Sequence, residues 1–439
     1  MFFFTTKEKG VSILPEASHR QILPDPHDIA ANRELEMQRF KWNAFLASHP
    51  TIFDEDWIWE NRKAPSTNDG PIKKKFLQIF NSKVKLRKQV KALIRSGVPP
   101  ERRGQVWYKL SGADKRQSSA SHTEQYNFLM SQIHTLEGTQ ISADIEKDLL
   151  RTFPERIRDD DIEFISMLRR VLLAYAMRNP TIGYCQSMNY ICALLLFHME
   201  EEKAFWVFTS LLEDIIPNNY YVPSLLGGRV DQQVFQSCIA WKLPRVFAAF
   251  RATNTLLEPI ICPWFLCLYI NVLPIYAVCR VWDCLFWEGS VVLFRIGLTL
   301  IKSKSTQILQ ASDFIGIYAV LKSPSVKSYS FELESSAEGA NNTGSDGHVM
   351  SDVEFMISSA FGFRWLKSVP AAKVEILRKK FTDIIMKEEE KRLKARKPPP
   401  SPSHQSSGDV VTTENVIGKQ PSTPDIKRSQ RRKSELMAM

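Results

Sequence analysis

Apolar residues recur at helical spacing from residue 93 to about residue 321, and this pattern limits the fold more than any other feature of the chain. In two successive segments the apolar positions fall three or four residues apart, as on one face of an α-helix. They are Ile165, Leu168, Val171, Leu172 and Tyr175, followed by Met188, Ile191, Leu194 and Leu195. No Asn-Gly or Asp-Gly hairpin turn and no alternating strand pattern interrupts the region. The sequence therefore predicts an all-α fold of packed helices.

The composition is that of a chain with a substantial apolar core. Hydrophobic residues make up 44% of the 439 positions, and ten tryptophans and 26 phenylalanines are among them. The seven cysteines form no C-x-x-C pair, and most lie in apolar surroundings. This usage is typical of buried, reduced thiols, which favours a cytoplasmic protein and excludes a zinc module or a disulfide framework.

One uncharged stretch, residues 260–279, is long enough to cross a bilayer. It contains Pro263, Asn271 and Pro274, however, and runs directly into Arg280. A polar amide within the stretch and an arginine directly after it suit a membrane span poorly, and prolines favour a break between two shorter helices. We therefore expect two helices of a packed core, broken near residues 273–274.

Outside the helical centre the chain divides by composition. Residues 30–46 have the mixed apolar and charged pattern of an amphipathic helix, and residues 63–71 form a turn-rich linker. Residues 73–91 then carry eight basic side chains and no acidic one. We expect a solvated helix face that leads into the core there, and contact with an anionic membrane is the alternative. The predicted organisation is a partly helical N-terminal extension at 1–71, a basic lead-in at 72–93, the central domain at 94–321, a flexible linker or insert at 322–352, a helical segment at 353–397 and a disordered tail at 398–439.

Several common chemistries lack their sequence signatures. The chain has no G-x-x-x-x-G-K-[ST] phosphate loop, no G-x-G-x-x-G, no G-x-S-x-G and no H-E-x-x-H. This argues against nucleotide-hydrolysing, dinucleotide-binding, serine-hydrolase and zinc-protease functions. The formal net charge of +10 permits an acidic partner. Because the basic run lacks aromatic residues at stacking spacing, we do not expect that partner to be nucleic acid.

Three short motifs remain, and the first two are pairs on helices. Arg103 and Trp107 are four positions apart, which places a guanidinium and an indole on one helix face. Asp148 and Arg151 are three positions apart on a helix that should end near Phe153, because the residue before a proline avoids helical geometry. Each pair has a simpler explanation, since such pairs are usually surface contacts worth a few tenths of a kcal/mol.

The third motif, Tyr184-x-Gln186, lies in a loop that leads into a helix. A glutamine at a helix N-terminus is exposed to the positive end of the helix dipole and to unpaired backbone N–H groups. A solvated loop glutamine is the simpler interpretation.

The order of these motifs resembles the TBC domain of Rab GTPase-activating proteins. The resemblance covers residues 94–321 and leaves both ends of the chain unexplained. Further segments that carry it are 148–154, 172–175, 182–186, 188–189, 273–274, 280–286 and 288–289.

The resemblance implies a helical fold that hydrolyses nothing by itself and acts on a GTP-loaded Rab in vesicle and membrane trafficking. Arg151 would be an arginine finger that neutralises charge on the phosphoryl oxygens, and Gln186 would orient the attacking water. GTP and magnesium would belong to the Rab, so neither a cofactor nor a metal site is expected in this chain. The residues implied to support the site are Asp148, which would position Arg151, together with Arg103, Trp107 and Tyr184.

Two other functions stay open. One is a catalytically silent TBC scaffold or trafficking adaptor that binds a Rab without accelerating hydrolysis. The presence of both Arg151 and Gln186 favours the active protein over this alternative. The other is a basic adaptor, peripheral on endomembranes, that depends on residues 73–91 and 427–433.

Overall fold

The computed structural model describes residues 22–54, 74–157, 161–217, 219–322, 351–362 and 369–396, with the side chains of 74–82 and 393–396 left out. Every regular element in these residues is a helix, as the apolar spacing predicted. The chain divides into two compact units, Met1–Glu389 and Glu390–Met439. The second unit is described only to Arg396, where the last helix ends.

The helices follow one another closely along the chain. They are α1 (Ile29–Ser48), α2 (Lys74–Arg95), α3 (Pro100–Ser111), α4 (Ala113–Ser119), α5 (Tyr126–Gln132), α6 (Gln140–Leu149), α7 (Ile162–Arg178), α8 (Met188–Leu196), α9 (Glu201–Ser210), α10 (Leu226–Lys242), α11 (Pro244–Ala252), α12 (Glu258–Leu266), α13 (Ile275–Glu288), α14 (Val291–Ser303), α15 (Ser305–Gln310), α16 (Phe314–Lys322), α17 (Asp352–Gly362) and α18 (Ala371–Arg396). Short 3-10 turns lie at Ile52–Asp54, His122–Glu124 and Ile133–Leu136, and a π-helical turn lies at Leu211–Ile215.

The centre of the first unit is α13, whose residues 276–287 are all buried. It packs against α2, α3, α14 and α17. The uncharged stretch 260–279 is divided as predicted, because α12 ends at Leu266 and α13 begins after Pro274. Pro274 suits this position because its fixed φ, here −52°, already matches the chain entering a helix. Within the described ranges, no helix combines the length and apolar character of a membrane span.

The two apolar segments that predicted helices are α7 and α8. All nine of the apolar positions named above are buried in the structure. Helix α8 is apolar on every side and packs against α6, α7 and α9. This burial makes α8 a rigid base for the residues at its N-terminus.

The first helix of the described residues packs on this core as well. Helix α1 lies where the amphipathic pattern predicted it, with Leu35 and Trp42 buried, and the Trp42 indole N–H donates to the Gly97 carbonyl at 2.8 Å. Phe40, an apolar residue of the predicted helix 30–46, is 70% exposed, because the buried face of α1 runs through Ala31, Leu35, Gln38 and Trp42.

Parts of the predicted organisation lie outside the described residues. They include the turn-rich linker 63–71, most of the predicted insert at 323–350 and the tail from residue 397. Ser351, at the end of that insert, is buried, and its hydroxyl donates to Glu34 of α1 at 2.5 Å.

All seven cysteines are free, and five of them are buried.

Candidate functional site

The chain leaves α6 through a tight turn that carries Arg151. The helix ends at Leu149, so the predicted end near Phe153 is wrong. The Thr152 N–H donates to the Leu149 carbonyl at 3.1 Å, and the Thr152 hydroxyl donates to the Asp148 carbonyl at 2.6 Å. These two bonds close the turn early, since they occupy carbonyls at the helix end. Phe153 then has φ +50°, outside the right-handed helical region that a residue before proline avoids.

The Arg151 guanidinium lies against a buried carboxylate. Its Nε and Nη2 donate to Asp148 Oδ1 at 2.8 and 2.5 Å. The Arg151 side chain is 50% exposed, whereas that of Asp148 is only 6% exposed. The buried Asp148 side chain is fixed by the residues packed around it, and it therefore holds the half-exposed Arg151 guanidinium in one orientation. The spacing of the two residues predicted this contact.

Tyr184 holds the same carboxylate from the other side. Its hydroxyl donates to Asp148 Oδ2 at 2.6 Å. Burial of the phenol, together with this hydrogen bond to Asp148, raises the pKa of Tyr184 well above its ordinary value. The phenol thus stays a proton donor at neutral pH. Of the residues expected to support Arg151, Asp148 contacts it directly and Tyr184 acts through the Asp148 carboxylate.

Gln186 lies in the turn just before α8, as predicted. Ser187 is the N-cap residue of that helix and has φ +98°, which is rare for a residue with a side chain. Such a backbone conformation costs about 1–3 kcal/mol and persists only where its surroundings enforce it. Gln186 itself is partly exposed, and the described residues offer its side-chain amide no hydrogen bond. The amide is therefore available to another molecule.

One residue of segment 188–189, to which the sequence analysis assigned no role, joins the two turns. Asn189 is fully buried, and its Nδ2 donates to Thr152 Oγ1 at 2.8 Å. Its Oδ1 accepts from the Ser187 backbone N–H at 3.2 Å. Tyr190 adds a hydrogen bond from its hydroxyl to the Arg151 carbonyl at 3.1 Å. The available signal was a lone asparagine in the otherwise apolar helix α8.

Arg103 and Trp107 form a separate buried cluster around Asp283. Arg103 Nε donates to Asp283 Oδ1 at 3.2 Å, and Trp107 Nε1 donates to the same oxygen at 2.9 Å. Burial on its own would lower the pKa of Arg103, but the charge of Asp283 raises it. In the described part of the chain, neither residue contacts Arg151 or Gln186. The cluster instead fastens α3 to α13, so any support that it gives to the site is indirect.

Some side chains of the basic run on α2 are exposed to solvent, and others contact α13. Lys83, Lys85 and Lys88 are exposed. Lys91 pairs with Glu288 at 3.5 Å, and the Arg87 guanidinium lies 5.9 Å from the centre of the Trp287 ring. The run is therefore solvated in part and packs on the core helix α13 in part, as the sequence predicted. In the described residues, no group of histidine, cysteine, aspartate and glutamate side chains could hold a metal ion.

The site presents a charged fork and a neutral amide, and the carboxylate beside them, that of Asp148, is already hydrogen-bonded to Arg151 and Tyr184. A guanidinium held by a buried carboxylate keeps its remaining donors for a planar array of oxygens on a second molecule. Such an arrangement suits the stabilisation of phosphoryl charge on a partner.

The fold and the site define a helical domain of a known family. A model described as the Rab-GTPase-TBC domain matches residues 100–309, and the chain belongs to this family. Growth hormone-regulated TBC protein 1 of Xenopus laevis is 38% identical over 230 residues, which are 52% of this chain and 66% of that protein. The Mus musculus protein of the same name is 37% identical over 248 residues, covering 51% and 67% of the two chains.

Two further similarities agree with this family. TBC1 domain family member 2B of Xenopus tropicalis is 34% identical over 249 residues, which are 56% of this chain but only 26% of that longer protein. The crystal structure of the Chlamydomonas flagellar RabGAP TBC domain superposes with a TM-score of 0.55 at 24% identity. It covers 79% of this chain and 99% of that one, and so it supports the fold. The chain spans about two thirds of the growth hormone-regulated relatives that it matches.

Proposed function

We propose that this chain is a GTPase-activating protein that accelerates GTP hydrolysis by a Rab-family small GTPase. Membership of the Rab-GTPase-TBC family supports a Rab as the partner. The observation that carries the activity is the geometry of Arg151, whose side chain is half exposed and yet fixed by the buried carboxylate of Asp148. An arginine that is only solvated would not be paired with a buried carboxylate, whereas Arg151 is paired with Asp148, which Tyr184 also binds.

Arg151 is the proposed arginine finger. Its guanidinium would lie against the phosphoryl oxygens and the leaving oxygen of GTP, where negative charge develops in the transition state. Because Asp148 and Tyr184 already orient the side chain, little conformational entropy is lost when the partner binds. An arginine finger is worth roughly 10³–10⁵ in rate, or about 4–7 kcal/mol.

Gln186 is the proposed second finger, which orients the attacking water. Its amide can accept a hydrogen bond from the water and donate one to a phosphoryl oxygen. The turn that carries it precedes the N-terminus of α8, where the helix dipole favours negative charge. GTP and Mg²⁺ would come with the GTP-loaded Rab, so the proposed activity requires no cofactor bound to this chain.

The proposed place of action is the cytoplasmic face of endomembranes, in vesicle trafficking. Lys83, Lys85 and Lys88 are exposed on α2 and are suited to an anionic lipid surface. Each basic residue close to such a surface is worth about 1 kcal/mol, and the attraction weakens with salt.

The test is single-turnover GTP hydrolysis across a panel of GTP-loaded Rabs. Arg151→Ala and Gln186→Ala are each compared with the parent on the responsive Rab. The matched control is Arg169→Ala, because Arg169 also forms a forked pair with a carboxylate, Glu146, on the surface of α7. We expect each finger variant to lose decades of kcat/KM and the control to stay within about threefold of the parent.

Binding separates this activity from the scaffold alternative. Both finger variants should bind a Rab loaded with a non-hydrolysable GTP analogue nearly as well as the parent, because the fingers act mainly in the transition state. If no Rab responds to the parent, the activity is refuted and the silent scaffold is favoured. If a folded Arg151→Ala protein keeps nearly full kcat/KM, the arginine-finger assignment is refuted.

A further inference from the structure

Asn189 contacts both of the turns that carry the proposed fingers. Thr152, which receives its Nδ2–H, directly follows Arg151, and Ser187, which donates to its Oδ1, directly follows Gln186. The residue that directly follows each proposed finger is therefore hydrogen-bonded to Asn189. Asp148 also joins the two loops, because it accepts hydrogen bonds from the side chains of Arg151 and Tyr184, but Asn189 bonds to the residue that directly follows each finger.

The donors and acceptors of the neighbouring groups explain why an amide side chain is required at position 189. The Thr152 hydroxyl has one proton, and it donates that proton to the Asp148 carbonyl at 2.6 Å. Its oxygen therefore faces Asn189 as an acceptor, and only a donor fits. The Ser187 N–H on the other side requires an acceptor. An asparagine amide supplies both groups at once, whereas an aspartate would lack the donor.

Burial makes these bonds hard to replace. Asn189 is 0% exposed and Thr152 is 1% exposed, so water cannot substitute for a lost partner. Ser187 is held at φ +98°, and its N–H is directed at Asn189 by that conformation. Without the acceptor, the turn is free to relax toward an ordinary backbone conformation, and Gln186 would move with it.

We propose that Asn189 is a positioning residue that sets the Arg151 turn and the Gln186 turn at one fixed separation. The inference rests on the proposed function, since a fixed separation matters only if both side chains reach the same nucleotide. Misplacement of a reacting group by about 1 Å costs on the order of 100-fold in rate. The expected effect of losing the bridge is therefore on catalysis more than on binding.

The test compares isosteric variants of the bridge. Thr152→Val removes the hydroxyl and keeps the shape, whereas Thr152→Ser keeps the hydroxyl. Asn189→Ala removes both links. The matched control is Thr209→Val in α9, because the buried Thr209 hydroxyl also donates to the carbonyl four residues earlier, at 2.8 Å.

Two readouts separate positioning from a structural role. One is the division of single-turnover rates into kcat and KM, measured beside thermal unfolding. The other compares the affinity for a Rab carrying GDP and aluminium fluoride, which mimics the transition state, with the affinity for a Rab carrying a non-hydrolysable GTP analogue. A substitution that only destabilises the fold would not selectively weaken the affinity for the Rab that carries GDP and aluminium fluoride.

We expect Thr152→Val to lower kcat by about 10- to 100-fold with KM nearly unchanged, and to weaken only the transition-state complex. Asn189→Ala should lower kcat further, and Thr152→Ser should stay near the parent. Thr209→Val should lose some thermal stability and no activity. If Thr152→Val behaves like Thr209→Val while Arg151→Ala is inactive, the bridge is refuted and the finger assignment stands. If Arg151→Ala is fully active, both proposals fall together.

Discussion

Helix α18 lies outside the residues that the family model matches, and one buried ion pair connects it to α10. Arg378 Nε and Nη2 donate to the two carboxylate oxygens of Asp231, each at 2.7 Å, and Nη1 donates to Ser290 Oγ at 3.0 Å. The Asp231 side chain is 0% exposed and that of Arg378 is 9% exposed. We predict that Arg378→Met, which keeps much of the apolar stem, destabilises the whole domain.

The magnitude follows from the charge that is left behind. Removing one partner of a buried pair costs about 3–5 kcal/mol, because the other charge stays buried without compensation. That is a large share of the roughly 5–15 kcal/mol by which domains are stable. The matched control is Arg229→Met, since Arg229 pairs with Glu389 across the same two helices with both side chains 38% exposed. Exposed pairs contribute about 0–1 kcal/mol.

The pH dependence of the deficit has a definite sign. Burial raises the pKa of Asp231 even though the Arg378 hydrogen bonds oppose it. Without Arg378 that pKa rises further. A carboxyl whose pKa is higher in the folded state binds protons more tightly when folded, so stability is gained as the pH falls through that raised value. The Arg378→Met deficit should therefore shrink from neutral toward acidic pH.

Urea unfolding at several pH values measures these free energies through the transition midpoint and slope. The double variant Asp231→Asn with Arg378→Met should recover much of the loss, because no charge is left unpaired. An Arg378→Met protein within about 1 kcal/mol of the parent, or one that matches Arg229→Met at every pH, would refute the role of this pair.

Three further predictions concern the finger, a helix contact and a surface pair. Arg151→Lys should lose most of the GTPase-activating rate in the single-turnover assay, because an ammonium lacks the planar fork that bridges two oxygens. Gly104→Ala should lower the unfolding temperature, since its Cβ would lie 2.2 Å from a backbone carbonyl that follows α8, whereas a Cβ at Gly362 would meet no atom of the described residues within 4 Å and Gly362→Ala should be neutral. The Arg178 hydrogen bond lowers the pKa of Glu124 to about 2, so Glu124→Gln should cost about 0–1 kcal/mol near neutral pH. Thermal unfolding at decreasing pH should show that difference vanish from about the ordinary pKa of 4.5 downward.

Some features of this protein are determined locally, and the sequence was sufficient for them. Apolar spacing predicted α7 and α8, and the prolines predicted the break between α12 and α13. The turn that places Gln186 before α8 was also readable. Each of these depends on residues within one or two helical turns, and helix propensity and proline geometry act over that range.

Other features depend on which helices meet, and only the tertiary structure decided them. Tyr184 reaches Asp148 across 36 residues, and Arg103 reaches Asp283 across 180. The early end of α6 also belongs here, because Asn189 of another helix binds the Thr152 hydroxyl that closes the turn. Local sequence favours helices but leaves the choice of their partners open. Burial then favours the packing in which polar side chains such as Asp148 and Asn189 find partners, and these partners link the turns that carry the two proposed fingers.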